Sequence, residues 1–121
     1  MKVLFVCTGN EARSPLAEAV FRELAGSGSR HEARSAGTGA RALRRVTTRD
    51  LAWADVVAVM EERHRAEIAR HWPRYLRKVR VLGVPDDYDP DEPELRQLLR
   101  EKIRPLVQPP RGASRPSAPS P

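Results

Sequence analysis

The sequence predicts a single α/β domain: a four-stranded parallel sheet with helices on both faces and an anion-binding loop after the first strand. Three observations predict it. Short apolar runs alternate with amphipathic stretches of helical length along the chain. Val3–Val6 and Val56–Met60 are continuously apolar rather than alternating, as strands buried on both faces are. The 121 residues fit one domain and suffice for a core without disulfide or metal support.

Taken in order, Val3–Val6 is the first strand. A helix follows from about Ser14 to Leu24, with Leu16, Val20 and Leu24 on one stripe and Ala17 and Phe21 beside it. Gly26-Ser27-Gly28 stops it. Glu32–Ala36 is a short, weak second strand ending at Gly37, and 37–46 reads as loop or irregular helix. Thr47 and Thr48 can cap a short helix through Trp53. Val56–Met60 is the third strand. Glu61–Trp72 is a charged helix with Met60, His64, Ile68 and Trp72 aligned, ended by Pro73. Lys78–Val84 is the fourth strand, and Pro90–Pro93 opens a last helix that buries Leu95, Leu98, Leu99, Ile103 and Leu106. The folded unit is thus 1–108. Residues 109–121 hold five Pro, three Ser, two Ala, two Arg and one Gly, a composition with no apolar face, and are expected to be a disordered tail.

In such a sheet a ligand sits beyond the carboxyl ends of the strands, where the strand order reverses. Cys7 ends the first strand, and Asp86 and Asp87 follow the fourth, so residues distant in sequence meet at one edge. Between the first strand and first helix lies Cys7-Thr8-Gly9-Asn10-Glu11-Ala12-Arg13-Ser14-Pro15. A loop that wraps an anion turns successive backbone N–H groups inward. Gly9 permits unusual turns and Asn10 tolerates the left-handed region. The helix dipole and the planar fork of Arg13 favour an anion there. The same groups favour the thiolate form of Cys7, and the Ser14 hydroxyl can hydrogen-bond it. A thiolate, an anion cradle and a nearby acid are the parts that displacement at phosphorus needs.

Cys7-x5-Arg13-Ser14-Pro15, with Gly9-Asn10 inside and Ala17-Glu18 after it, resembles the low-molecular-weight protein tyrosine phosphatases. Ser35-Ala36-Gly37-Thr38 is similar to that family's SAGT turn, and Ala54–Met60 to its strand before the third helix. Val84-Pro85-Asp86-Asp87-Tyr88 stands where the family has an Asp-Pro-Tyr whose Asp is the general acid. The resemblance covers about residues 1–108. It implies Cys7 as nucleophile, residues 8–13 as the phosphate cradle and Asp86 as the acid, with Asp87 the close second. It implies further that Tyr88 flanks the substrate and Ser35 holds Asn10. The sequence departs from the family in three places. Ala12 stands where a second Cys often forms a protective disulfide with the nucleophile. Glu11 stands where a bulky apolar residue or Thr is usual, so its carboxylate can repel a second anion or prefer a cationic leaving group. The chain is short between the SAGT-like turn and Thr48, a segment that carries an aromatic wall for the substrate ring in the family.

The net charge of +6 and pI ≈ 10.4 raise nucleic acid as a partner. The arginines are instead spread along the chain and interleaved with acids, as in Glu61-Glu62-Arg63-His64-Arg65, so a basic surface suited to phosphorylated substrates is the simpler reading. No apolar run approaches the about 20 residues of a membrane span, and the short first run does not read as a secretory signal. A single cysteine gives no intramolecular disulfide, so a cytoplasmic protein is expected. The acidic run Asp86–Glu94 lacks the calcium-loop pattern. His31, His64 and His71 read as surface or half-buried side chains, and Trp53 and Trp72 as core anchors.

The sequence therefore predicts a phosphomonoester hydrolase of phosphotyrosine-phosphatase type working through a cysteinyl-phosphate. No metal or organic cofactor is expected. Its substrate is a phosphorylated protein or small phosphomonoester, with no nucleic-acid or membrane partner, and it is expected to act as a monomer. Arsenate reduction on the same scaffold and non-catalytic phosphate binding are the alternatives.

Overall fold

The computed structural model describes residues 1–89 and 91–107; the tail assigned to 109–121 lies outside them. Four parallel strands, β1 (Lys2–Cys7), β2 (Glu32–Gly37), β3 (Val56–Val59) and β4 (Val79–Val81), form one sheet in the order β2-β1-β3-β4. The helices are α1 (Arg13–Ala25), α2 (Thr48–Trp53), α3 (Glu62–His71) and α4 (Pro93–Val107). Among the described residues no helix is long and apolar enough to cross a membrane.

Both faces of the sheet are covered, which is why β1 is apolar at every position from Val3 to Cys7. Val3, Phe5 and Cys7 face Ala17, Val20 and Phe21 of α1 and Leu95, Leu99 and Ile103 of α4. Leu4 and Val6 face the opposite way, against Leu51 of α2 and Ile68 of α3. Phe5 meets Phe21 edge-on at 5.7 Å between ring centres. Trp53 and Trp72 pack on the second cluster but stay partly exposed, so they are its rim rather than its anchors.

Each predicted element is present, with one substantial shift. The fourth strand is Val79–Val81, not Lys78–Val84, because a 3₁₀ helix occupies Pro73–Lys78 and Gly83 turns the chain at φ 77°. Lys78 instead points its ammonium at the carbonyls of Leu51 (2.8 Å) and Ala54 (2.7 Å), at the end of α2. After β4 the chain still follows β3: Leu82 N–H donates to Val59 O and Val84 N–H to Met60 O, both at 2.8 Å. This fixes where the acidic segment begins. At the other end of the sheet, the loop after β2 is held by buried Asp50. Its carboxylate accepts from Arg44 at 2.6 Å and from the Thr47 N–H at 3.1 Å.

Candidate active site

β1 runs at the centre of the sheet and the order reverses beside it, with β2 on one side and β3 on the other. Its last residue, Cys7, is 2% exposed. Residues 8–12 then curl back to the start of α1. The outer side of this curl is pinned by the SAGT-like turn: Thr38 N–H donates to Cys7 O and Gly39 N–H to Thr8 O, both 2.9 Å, and Leu43 N–H to Gly9 O at 3.0 Å. Gly37 permits this approach, since a Cβ there would lie 2.4 Å from Thr8 O. With the carbonyls held outward, the N–H groups of Gly9, Glu11 and Ala12 donate to no protein atom among the described residues. They are left free to serve as the donor set that the sequence predicts.

The thiol sits in that set. Asn10 takes the left-handed conformation, φ 56°, which brings its N–H to 3.2 Å from Cys7 Sγ. Ser14 Oγ lies 3.0 Å from Sγ. The Asn10 amide donates to Ser14 Oγ at 2.9 Å, and the single Ser14 O–H has two acceptors in reach, Cys7 Sγ at 3.0 Å and Ala36 O at 3.4 Å. The resemblance gives Asn10 to Ser35, but its described side-chain partner is Ser14. Ser35 lies in β2 opposite Phe5, and its carbonyl accepts from Arg44 at 2.7 Å.

Cys7, Thr8, Gly9, Glu11, Ala12, Arg13 and Asp86 line one cavity of about 240 Å³. Of the two candidate acids, Asp86 is the one on its wall. Asp87 is exposed and Tyr88 packs partly buried on the α1–α4 core. Arg13 is buried, and its Nη1 donates to Val84 O at 2.9 Å and to Glu61. Two donors on the other edge of its guanidinium, Nε and Nη2, have no protein acceptor among the described residues. That edge presents two parallel N–H donors, the geometry that suits a phosphoryl group.

Three residues of this site escape the sequence reading: Glu61, Arg63 and His64, all from the charged start of α3. His64 is a correction, since it is 1% exposed rather than at the surface. Its Nδ1 accepts from the Glu61 N–H at 3.0 Å, so its proton is on Nε2, which donates to Thr8 Oγ1 at 2.8 Å. Thr8 is thereby fixed, with its own hydroxyl proton free. Burial, reinforced by the charges of Arg13 and Arg63 and opposed by Glu61 and Asp86, lowers the His64 pKa to about 4. An unfolded His titrates near 6.5, so below that the unfolded chain binds a proton that the native chain refuses. His64 therefore costs stability progressively as pH falls from about 6.5 to about 4. Denaturant titrations should show the wild type losing more stability over that window than His64→Gln; parallel curves would contradict a neutral buried His64.

Known proteins share this sequence pattern and this fold. The family described as low molecular weight phosphotyrosine protein phosphatase matches residues 2–49. The protein-arginine-phosphatase of Bacillus subtilis is 32% identical, over 88% of this chain and 97% of that protein. A low molecular weight protein-tyrosine-phosphatase of Streptomyces coelicolor is 66% identical over 41 residues, which are 31% of this chain and 25% of that protein. The crystal structure of a YwlE mutant from Bacillus subtilis superposes with a TM-score of 0.75 at 29% identity, covering 89% of this chain and 97% of that one.

Proposed function

Because the chain belongs to the low molecular weight phosphotyrosine protein phosphatase family and is a cysteine-dependent phosphatase, we propose that it hydrolyses aryl phosphates of phosphotyrosine type on Cys7. The observation that carries this reading is the thiol at the centre of the donor loop, with Ser14 and the Asn10 N–H on sulfur and Asp86 on the wall of the same cavity. The relatives are phosphatases, which favours hydrolysis over arsenate reduction or simple anion binding.

In this mechanism the Cys7 thiolate attacks phosphorus in line with the leaving oxygen. The S–P bond forms as the P–O bond breaks, and protonated Asp86 gives its proton to the departing oxygen. The loop amides and the free edge of Arg13 hold the three equatorial oxygens. Water then attacks phosphorus, its proton passes to Asp86, the S–P bond breaks and the thiolate returns with the Ser14 hydroxyl hydrogen-bonded to it. Phosphate leaves. A lone thiol nucleophile stays active in a reducing compartment, so we place the enzyme in the cytoplasm, acting as a monomer on phosphorylated protein.

Glu11 favours a second substrate reading. Its side chain is exposed on the cavity wall and leans over Gly9, where a Cβ would lie 3.4 Å from Oε2. A carboxylate at the mouth offers nothing to a phenyl ring. It can accept N–H groups from a phosphorylated guanidine, the chemistry named for the Bacillus relative. Measuring kcat/KM with phosphotyrosine and phosphoarginine peptides of the same sequence tests both readings. Glu11→Gln should shift the ratio toward phosphotyrosine by about tenfold, the scale of one charged hydrogen bond. An unchanged ratio removes Glu11 from substrate choice; no turnover of either peptide removes the proposed activity.

A further inference from the structure

Arg13 and Asp86 line the same cavity, and one chain of side chains joins them. Glu61 and Arg63 stand between, at the start of α3, and the order is Arg13–Glu61–Arg63–Asp86. Arg63 meets Glu61 fork to fork, Nε to Oε1 and Nη2 to Oε2, each at 3.2 Å. The same Nη2 donates to Asp86 Oδ2 at 3.2 Å. We propose that Glu61 and Arg63 are positioning residues of this enzyme: Glu61 turns the Arg13 fork toward the phosphate loop, and Arg63 keeps Asp86 over it. The second half rests on Asp86 being the acid.

Glu61 follows β3, the strand paired with β1, so its carboxylate arrives at the same sheet edge as Cys7. Together with Val84 O it takes both bonds of Arg13 Nη1, which fixes the guanidinium plane and leaves the Nε–Nη2 edge for phosphate. A buried cation also needs a counterion when no phosphate is bound.

On the other side, Asp86 lies in a segment without helix or strand, and its side chain is 66% exposed. Exposed ion pairs add little to stability, so the Arg63–Asp86 contact should register in the geometry of the reaction. Displacing a reacting group by about 1 Å can cost up to about 100-fold.

The two halves have different signatures. Arg63→Ala should lower kcat about 10- to 100-fold with phenyl phosphate and leave 2,4-dinitrophenyl phosphate turnover nearly unchanged, because only the poorer leaving group needs a placed proton. Inhibition by inorganic phosphate should be unaffected, and Arg63→Lys should recover part of the loss. Added to Asp86→Asn, Arg63→Ala should cost nothing further. Glu61→Ala should instead weaken inorganic phosphate inhibition about tenfold and slow both substrates alike. Glu61→Gln keeps an acceptor for Arg13 and should restore most of the binding should the alanine variant fold poorly. Arg65→Ala, on the same helix and paired only with Glu62 among the described residues, should behave as wild type. Equal losses on both substrates for Arg63→Ala, or losses additive with Asp86→Asn, would overturn the Arg63 role. Unchanged phosphate inhibition in Glu61→Ala would overturn the Glu61 role. Were Asp86→Asn itself insensitive to the leaving group, the acid assignment would fall, taking the Arg63 half with it, while the Glu61 result would stand independently.

Discussion

Cys7→Ser removes aryl-phosphate hydrolysis by at least ~10³-fold while phosphate still binds, the scale expected when a nucleophile is lost and the surrounding donors remain. A serine hydroxyl occupies the same place, between the Asn10 N–H and Ser14, but a hydroxyl is hardly ionised near neutral pH and the site holds no base on the scale of an alkoxide. Arg13→Lys should lose ~10²–10³-fold, as when one donor of an oxyanion site is removed. Lysine keeps the charge but not the two parallel N–H groups, nor the bond that holds Arg13 against Val84 O. Steady-state assays with circular dichroism as the folding check decide both. A folded Cys7→Ser enzyme with most of its activity would exclude covalent catalysis.

Asp86→Asn produces the second largest effect, and its size depends on the substrate. With phenyl phosphate or phosphotyrosine the loss should be ~10²–10⁴-fold, the usual worth of a general acid. With a strongly activated aryl phosphate it should be small, because a stable phenolate departs without a proton. Asp87→Asn serves as the comparison: it is the neighbouring acid, exposed and off the cavity wall. Leaving-group dependence in Asp87→Asn and not in Asp86→Asn would transfer the role to Asp87. Its absence in both would remove this segment from the chemistry.

The strands and helices were legible because both faces of the sheet are covered. That makes β1 and β3 continuous apolar runs and gives α1 and α4 clear stripes. The loop at Cys7 was legible because its spacing, its Gly9-Asn10 pair and its position before a helix all serve one purpose. The α3 residues were not. Glu61-Glu62-Arg63-His64 reads locally as a solvated face, and nothing in it points to Arg13, 48 residues away, or to Asp86, 23 residues away. Only the parallel pairing of β1 with β3, and of β3 with β4, brings them to one edge. His64 reads as a surface or half-buried side chain for the same reason, since its partner Thr8 lies 56 residues away. The fourth strand reads longer in the sequence than it is because Leu82 and Val84 are buried and bonded to the end of β3 although the chain there has left the sheet.

Rapid mixing of Asp86→Asn enzyme with 2,4-dinitrophenyl phosphate, followed by time-resolved mass spectrometry, tests covalent catalysis most directly. The fast first step and slowed hydrolysis should leave one phosphoryl group on the chain, mapped to Cys7, with a matching burst of phenolate. A phosphoryl group on another residue, or turnover without any adduct at the time of the burst, would contradict a cysteinyl-phosphate at this site.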